Sequence, residues 1–259
     1  MDSRLSWRFA SASSTGSSHL SRGVECQDSS CFSFVKSIRG EERTLLIVLS
    51  DGAGSATYAS RGSKLVCNSI VDCAQYWLSK SIPADLSGLL LHSAGYARQT
   101  LCKVANAEGA SVSEFSATCL CLLITEDSLA ALQVGDGLIV VENGSGSIGP
   151  VFWPRKYEYA NSTTFLTSRN WFQDLQYSQW IGRPHSFFLC SDGIQSICSY
   201  SQTMSVVPSF VDAFKKVLAD QSPGYSSEAS KKILAFLDSE QVCSRTDDDK
   251  TVFVGIKSQ

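Results

Sequence analysis

Strand-like segments occur in blocks along this sequence, and pairs of helical segments separate the blocks. The strand-like segments are short, rich in β-branched and aromatic residues, and bounded by Gly, Ser or Asp. They cover residues 7–12, 30–36, 44–50, 117–125, 128–134, 138–142, 186–191 and 251–256. Apolar residues recur at helical spacing in two pairs, 58–78 with 86–107 and 211–218 with 228–237. Because strands and helices do not alternate regularly, the order predicts an α+β layered fold rather than a parallel doubly wound sheet.

The chain is predicted to form one domain. It has 259 residues, of which 43% are hydrophobic, and shows neither an internal repeat nor a linker. An irregular, flap-like insertion is predicted at about 143–182, where aromatic residues follow a Gly/Ser-rich turn. These aromatic residues are interpreted as a small satellite core, or alternatively as a flap that contacts substrate; they are Trp153, Tyr157, Tyr159, Trp171, Phe172, Tyr177 and Trp180.

Composition excludes several classes of protein. The net charge of −3 and the absence of a basic run argue against a nucleic-acid partner. The longest apolar run, 45–49, is far shorter than the roughly 20 residues that cross a bilayer. The Ser-rich N-terminus lacks a signal-like apolar stretch, and the 10 cysteines form no CxxC pair. We therefore expect a cytoplasmic protein with reduced thiols, in which Cys119 and Cys121 are core residues on one face of a strand.

Aspartates lie at the ends of the strand-like segments. The five are Asp28, Asp51, Asp136, Asp192 and Asp248. A buried carboxylate is costly to desolvate, so several carboxylates at one edge require a compensating positive charge. Divalent cations with a preference for hard oxygen ligands, Mg²⁺ or Mn²⁺, would supply that charge, and no His/Cys set that suits zinc is present.

Glycine follows three of these aspartates, at Asp51-Gly52, Asp136-Gly137 and Asp192-Gly193. A glycine there permits a sharp turn and lets a backbone carbonyl approach an ion. Asp-Gly is also a common turn dipeptide, which would explain any one of the three. Three such pairs after apolar strands favour a metal site.

In their order, these motifs resemble the metal-dependent protein phosphatases of the PPM, or type-2C, class, particularly their compact bacterial branch. The matching segments are Gly16-Ser-Ser-His-Leu20, Cys26-Gln27-Asp28, Ser50-Asp51-Gly52-Ala53-Gly54, Ser116-Ala117-Thr118, Val134-Gly135-Asp136-Gly137, Asn161-Ser-Thr163, Leu189-Cys-Ser191-Asp192-Gly193 and Asp247-Asp248-Asp249-Lys250-Thr251. The resemblance implies a central sandwich of two antiparallel sheets flanked by pairs of antiparallel helices, with the active site at one edge.

The resemblance also implies a site for two Mn²⁺ or Mg²⁺ ions and a third, weaker one. Asp51 would bridge the two ions, Asp28 would act through water, and Asp136 would serve the third ion. The full implied ligand set is Asp28, Asp51, the carbonyl of Gly52, Asp136, Asp192 and Asp248.

The implied reaction is hydrolysis of phosphoserine or phosphothreonine monoesters by a metal-bridging water, with Asp51, Asp192 and Asp248 as catalytic residues. Arg22 and His19 are the implied substrate-binding residues. The expected partners are a phosphorylated protein and, as a hypothesis, a cognate Ser/Thr kinase. Alternatively, Arg22 is a solvated surface residue and His19 makes a structural hydrogen bond near the site.

The sequence departs from the family at several positions. Gln27 replaces a common Glu, and Ala53 occupies the position of a histidine that is a candidate general acid. Gly137 and Leu138 replace a common Ser-Arg pair, and Lys250 is expected to be solvated.

Two other functions stay open at this point. One is a catalytically weak or inactive module of the same fold that binds a phosphoprotein or scaffolds a signalling partner. The other is a calcium-binding regulatory domain, which the wide separation of the aspartates disfavours. The complete set of Asp51, Asp192 and Asp248 favours an active enzyme.

Overall fold

The computed structural model describes residues 7–36, 43–154 and 163–258. Contacts divide the chain into two compact units, each assembled from separate stretches of sequence. The first unit comprises Met1–Cys26, Gly137–Trp153 and Arg183–Gln259, and the second comprises Gln27–Asp136 and Pro154–Gly182. The expectation of one domain stays a prediction.

The helices and strands follow one another in this order: β1 (Trp7–Ser14), α1 (Ser17–Ser21), β2 (Ser29–Lys36), β3 (Arg43–Ser50), α2 (Ala59–Leu78), α3 (Leu86–Ala107), a 3-10 helix (Val112–Phe115), β4 (Cys119–Ile124), β5 (Ser128–Val134), β6 (Leu138–Glu142), β7 (Ile148–Pro150), α4 (Trp171–Asp174), β8 (Gln176–Ile181), β9 (Ser186–Cys190), α5 (Asp192–Cys198), β10 (Ser199–Tyr200), β11 (Ser205–Val206), α6 (Pro208–Leu218), β12 (Gly224–Tyr225), α7 (Ser227–Leu237), α8 (Glu240–Cys243) and β13 (Lys250–Lys257). The eight predicted strands are confirmed to within two residues at each end.

The first unit is built on a six-stranded sheet with the order β12-β1-β13-β9-β6-β7. Its neighbouring strands are antiparallel, except that β12 runs parallel to β1. Helices α6 and α7 supply Phe214 and Ile233 to a core that includes Phe188 of β9 and Val254 of β13. Helix α6 begins at Pro208, three residues before the predicted start. Proline is favoured at the first helical position because the N–H that it lacks would have no partner within the helix there.

The second unit is built on a five-stranded antiparallel sheet with the order β2-β3-β4-β5-β8. Helices α2 and α3 cover one face of this sheet, where Ile70 and Leu101 join a core with Cys119 and Cys121. Both cysteines are fully buried, so the prediction that they are core residues on one face of a strand is confirmed. The two larger sheets are mostly antiparallel and have paired helices, and a third sheet contains only β10 and β11. This arrangement confirms the predicted α+β class.

Strand β8 corrects the prediction of an irregular insertion. Residues Gln176–Ile181 pair with β5 along their length and form the edge of the second sheet. The sequence of β8 lacks the regular alternation of polar and apolar residues that predicts a strand. The reason is that β8 is an edge strand whose two faces are both partly exposed. Trp153 packs on the core of the first unit and Trp171 on that of the second, so these two do not share a satellite core. Tyr157 and Tyr159 lie outside the described residues.

All ten cysteines are free, as the sequence predicts. Two sulfur pairs, Cys119–Cys121 and Cys190–Cys198, are 3.6 and 3.7 Å apart. Burial, together with the neighbouring Cys119, raises the pKa of the Cys121 thiol well above its usual value, so this thiol stays protonated at neutral pH.

Among the described residues, the structure has no helix with the length and hydropathy of a membrane span.

An ion pair in the first unit gives a testable dependence of stability on pH. Lys215 Nζ of α6 lies 2.8 Å from Glu142 Oε2 at the end of β6, and Ser186 Oγ donates to the same carboxylate. Burial raises the pKa of Glu142, but the hydrogen bonds from Lys215 and Ser186 outweigh it and hold this pKa below 4.5. A lowered carboxyl pKa stabilises the fold above the unfolded pKa, and this contribution is lost as the pH falls through the folded pKa.

We therefore expect Lys215→Met to lower the free energy of unfolding at pH 7, and expect this difference from the wild type to vanish as the pH falls through the lowered pKa of Glu142. Urea denaturation between pH 3 and 8 measures it. Lys216→Met, at an exposed position of the same helix, is the matched control. A difference that is independent of pH would contradict the assignment.

Candidate metal centre

The Asp51-Gly52 turn is fastened to the residues that precede β4. The Asp51 N–H donates to Thr118 Oγ1 at 2.8 Å, and the Thr118 N–H donates to the Asp51 carbonyl at 2.8 Å. Gly52 forms an isolated bridge with Ala117, and the Ala53 N–H donates to the Ser116 carbonyl at 2.9 Å. The Ser116-Ala117-Thr118 motif thus holds the turn that carries Asp51.

The same threonine adjoins the turn that carries Asp136. Gly135 has a φ of +115°, and a Cβ at this position would collide with the Thr118 side chain. Thr163 Oγ1 donates to Asp136 Oδ2. Asn161 and Ser162 of the same motif lie outside the described residues. Because Thr118 contacts both turns, one carboxylate oxygen of Asp51 and one of Asp136 come within 4.8 Å of each other.

Asp28 is held next to the Asp51 turn by the backbone of the residue before it. The Gln27 carbonyl accepts hydrogen bonds from the Gly52 N–H at 3.2 Å and from Ser63 Oγ of α2 at 2.6 Å. Asp28 itself is buried, with 6% of its surface exposed. A Cβ at Gly52 would lie 2.9 Å from this carbonyl, so a glycine is needed where the two segments meet.

Asp192 begins helix α5, and one residue separates it from the end of β9 at Cys190. The Ser191 N–H donates to the Thr251 carbonyl at 3.1 Å, and the Thr251 N–H donates to Ser191 Oγ at 2.9 Å, so β13 is fixed at this point. Gly193 lies against the segment before β13, because a Cβ there would collide with the Asp249 carbonyl and lie 3.5 Å from Asp248 Cβ. The first unit therefore places Asp192 and Asp248 on contacting segments.

Asp249 is a buried neighbour of Asp248 that the sequence alone does not single out. Only 2% of it is exposed, and its carboxylate accepts from the Gly16 N–H at 2.7 Å and lies 2.9 Å from His19 Nδ1. His19 thus contacts a buried carboxylate, and its structural hydrogen bond stays a prediction. The run of three aspartates at 247–249 is the signal that could have drawn attention to it.

Two basic residues differ in their surroundings. The expectation that Lys250 is solvated is wrong, because this residue is 1% exposed and its ammonium lies 3.8 Å from Cys243 Sγ. As the first residue of β13, it has its side chain packed inside the first unit rather than in water. Arg22 is exposed at the end of α1, and its Nε donates to the Ser18 carbonyl at 3.0 Å.

The donor set suits a hard divalent cation. Two carboxylate oxygens as close as those of Asp51 and Asp136 repel each other unless a proton or a cation lies near them. Carboxylate and carbonyl oxygens are the ligands that Mg²⁺ and Mn²⁺ prefer. Ala53 belongs to a small apolar cluster with Ala56, Ala59 and Phe165, so this position offers no proton donor.

The sequence matches a known phosphatase family and a named phosphatase. The sequence model of the family described as Protein phosphatase 2C matches residues 15–238, a range that includes Asp28, Asp51, Asp136 and Asp192. Serine/threonine-protein phosphatase 3 of Escherichia coli (strain K12) is 30% identical over 256 residues, which cover 97% of this chain and 99% of that protein.

Solved structures support the fold. The catalytic domain of the serine/threonine protein phosphatase PstP, crystallised with two manganese ions, matches with a TM-score of 0.66 and 16% identity over 98% of this chain and 100% of that one. Stp1 of Staphylococcus aureus matches with a TM-score of 0.63 and 16% identity over 100% of this chain and 97% of that one.

These comparisons confirm the predicted fold and the predicted enzyme class, a metal-dependent phosphoprotein phosphatase. The E. coli relative matches almost from end to end, so the likeness is not confined to isolated motifs. The ordered aspartate motifs, the α+β fold and the matched sequence agree: the chain belongs to the protein phosphatase 2C family.

Proposed function

We propose that this chain hydrolyses phosphoserine and phosphothreonine monoesters of proteins with two Mn²⁺ or Mg²⁺ ions. The observation that carries the proposal is the close pair of Asp51 and Asp136 carboxylates, whose two turns both contact Thr118 at the end of a buried sheet. The proposed ligands are Asp28 acting through water, Asp51, the Gly52 carbonyl, Asp192 and Asp248, with Asp136 at a third, weaker position.

The residues of the chain have separate tasks in this proposal. The carboxylates hold positive charge where the phosphate binds, which lets an acidic protein bind an anion. When bound, the two ions lower the pKa of water and stabilise the charge on the phosphoryl oxygens. Thr118 keeps the Asp51 turn in place, so the ligands are organised before substrate arrives.

Arg22 is the proposed phosphate ligand of the chain itself. Its Nε is bonded to the Ser18 carbonyl, which fixes the side chain at the end of α1. A guanidinium recognises phosphate through two parallel N–H groups, and its two terminal nitrogens can provide them.

The proposed substrate is a phosphorylated protein. A cognate Ser/Thr kinase and a cytoplasmic location stay predictions.

Metal-dependent release of phosphate from a phosphothreonine peptide tests the proposed function. We expect turnover with Mn²⁺ or Mg²⁺, and we expect EDTA to abolish it and added Mn²⁺ to restore it. A folded wild-type chain that binds the peptide without turnover under both metals would contradict the proposal. That result would favour the alternative of a phosphoprotein-binding module and would draw attention to Gln27 and Ala53.

A further inference from the structure

A buried link joins α1 to the loop that precedes β13. The two oxygens of the Asp249 carboxylate divide between the Gly16 N–H, at 2.7 Å, and His19 Nδ1, at 2.9 Å. His19 is itself only 4% exposed. A further hydrogen bond of 3.0 Å runs from the Ser18 N–H to the Asp247 carbonyl. Three positions in and before α1 are thus tied to one loop.

Packing reinforces the link. Gly16 lies so close to the backbone of Asp247 and Asp248 that a Cβ at this position would collide with it. Inside the loop, the Asp249 N–H donates to Asp248 Oδ1 at 2.8 Å. The orientation of the Asp248 carboxylate therefore depends on a residue whose own side chain is held by α1.

The other end of α1 carries Arg22. This helix has only five residues, too few to be stable without contacts outside it. Arg22 follows its last residue and bonds back to the Ser18 carbonyl, while the Ser18 N–H bonds to the loop. The position of the guanidinium is thus set by the same contacts that hold the loop.

We propose that Asp249 is a positioning residue that fixes Asp248 and Arg22 relative to each other through α1. Leaving a buried carboxylate without its partners costs free energy, and so does leaving the partners without the carboxylate. The link between α1 and the loop therefore has one stable arrangement. In this arrangement His19 acts through Asp249 rather than by touching substrate. The inference rests on the proposed function, in which Asp248 binds metal and Arg22 binds phosphate.

The first test needs neither metal nor substrate. We expect amide hydrogen exchange of α1 to be at least about tenfold faster in Asp249→Ala than in the wild type, because the hydrogen bond from the Gly16 N–H and the contact with His19 are both lost. Asp249→Asn keeps an oxygen that can accept from the Gly16 N–H. Its exchange rate should therefore lie between those of the wild type and Asp249→Ala. Asp247→Asn, which removes an exposed carboxylate from the same loop but leaves the backbone bond to Ser18, is the matched control.

The second test follows Mn²⁺ affinity by calorimetry and KM for a phosphothreonine peptide. We expect Asp249→Ala to weaken Mn²⁺ binding about tenfold, as loss of a residue that orients a ligand does. We also expect it to raise KM about tenfold, and we expect the same of Arg22→Ala, which removes a charge-assisted hydrogen bond to the phosphate. If Asp249 acts through Arg22, the double variant should raise KM only about as much as either single change, rather than about a hundredfold.

The outcomes separate the two proposals. Unchanged exchange of α1 in Asp249→Ala, or KM effects that multiply in the double variant, would overturn the positioning role. A wild type that binds no Mn²⁺ and hydrolyses no peptide would overturn the proposed function instead. In that case faster exchange of α1 in Asp249→Ala would still support the link, and unchanged exchange would reject it.

Discussion

Replacing Asp51 with Asn should lower the Mn²⁺-dependent kcat for a phosphothreonine peptide by about a thousandfold, because a neutral amide cannot hold the charge on which the two ions depend. The backbone bonds between Asp51 and Thr118 do not involve the carboxylate, so the turn should keep its shape. Phosphate release and calorimetric titration with Mn²⁺ measure the effect, and Asp192→Asn should behave in the same way.

Asp72→Asn is the control for this prediction. It makes the same carboxylate-to-amide change at an exposed position on α2 and should leave kcat and Mn²⁺ binding unchanged. Thermal unfolding should give similar Tm values for all three variants in EDTA. If Asp51→Asn retained more than about a tenth of the wild-type kcat, the proposal that the ions depend on the Asp51 carboxylate would be wrong.

Adding one methyl group at Gly193 should destabilise the first unit by about 2 kcal/mol, although alanine normally favours a helix. The new Cβ of Gly193→Ala would collide with the carbonyl of Asp249, which is backbone and cannot rotate away. The segment that carries Asp248 must then shift away from α5. We therefore also expect Mn²⁺ affinity to fall about tenfold.

Gly95→Ala is the matched control, since Gly95 is a helical glycine of α3 where an added Cβ would meet no neighbouring atom within 4 Å. This change should stabilise the protein by about 0.5–1 kcal/mol. Urea denaturation of both variants tests the pair. Equal stabilisation by the two substitutions would mean that α5 does not pack on the Asp248 segment as described.

Much of the fold follows from the sequence because its elements have a strong local signal. Helix α3 and strands β5 and β6 have the predicted bounds, since their apolar residues recur with the period of a buried face. Strand β8 and helix α5 lack such a signal. The first is an exposed edge, and the second is a short helix that begins at an aspartate on a strand end.

The candidate site divides in the same way. The sequence by itself determined the family and the aspartates at the strand ends, because carboxylates beside buried strands need a charge partner and therefore stand out. Only the tertiary structure decided that Thr118 holds two turns together, that Lys250 is buried, and that Asp249 ties His19 to the Asp248 loop. These depend on contacts between residues far apart in the chain, where no periodicity or local spacing records which side chains meet.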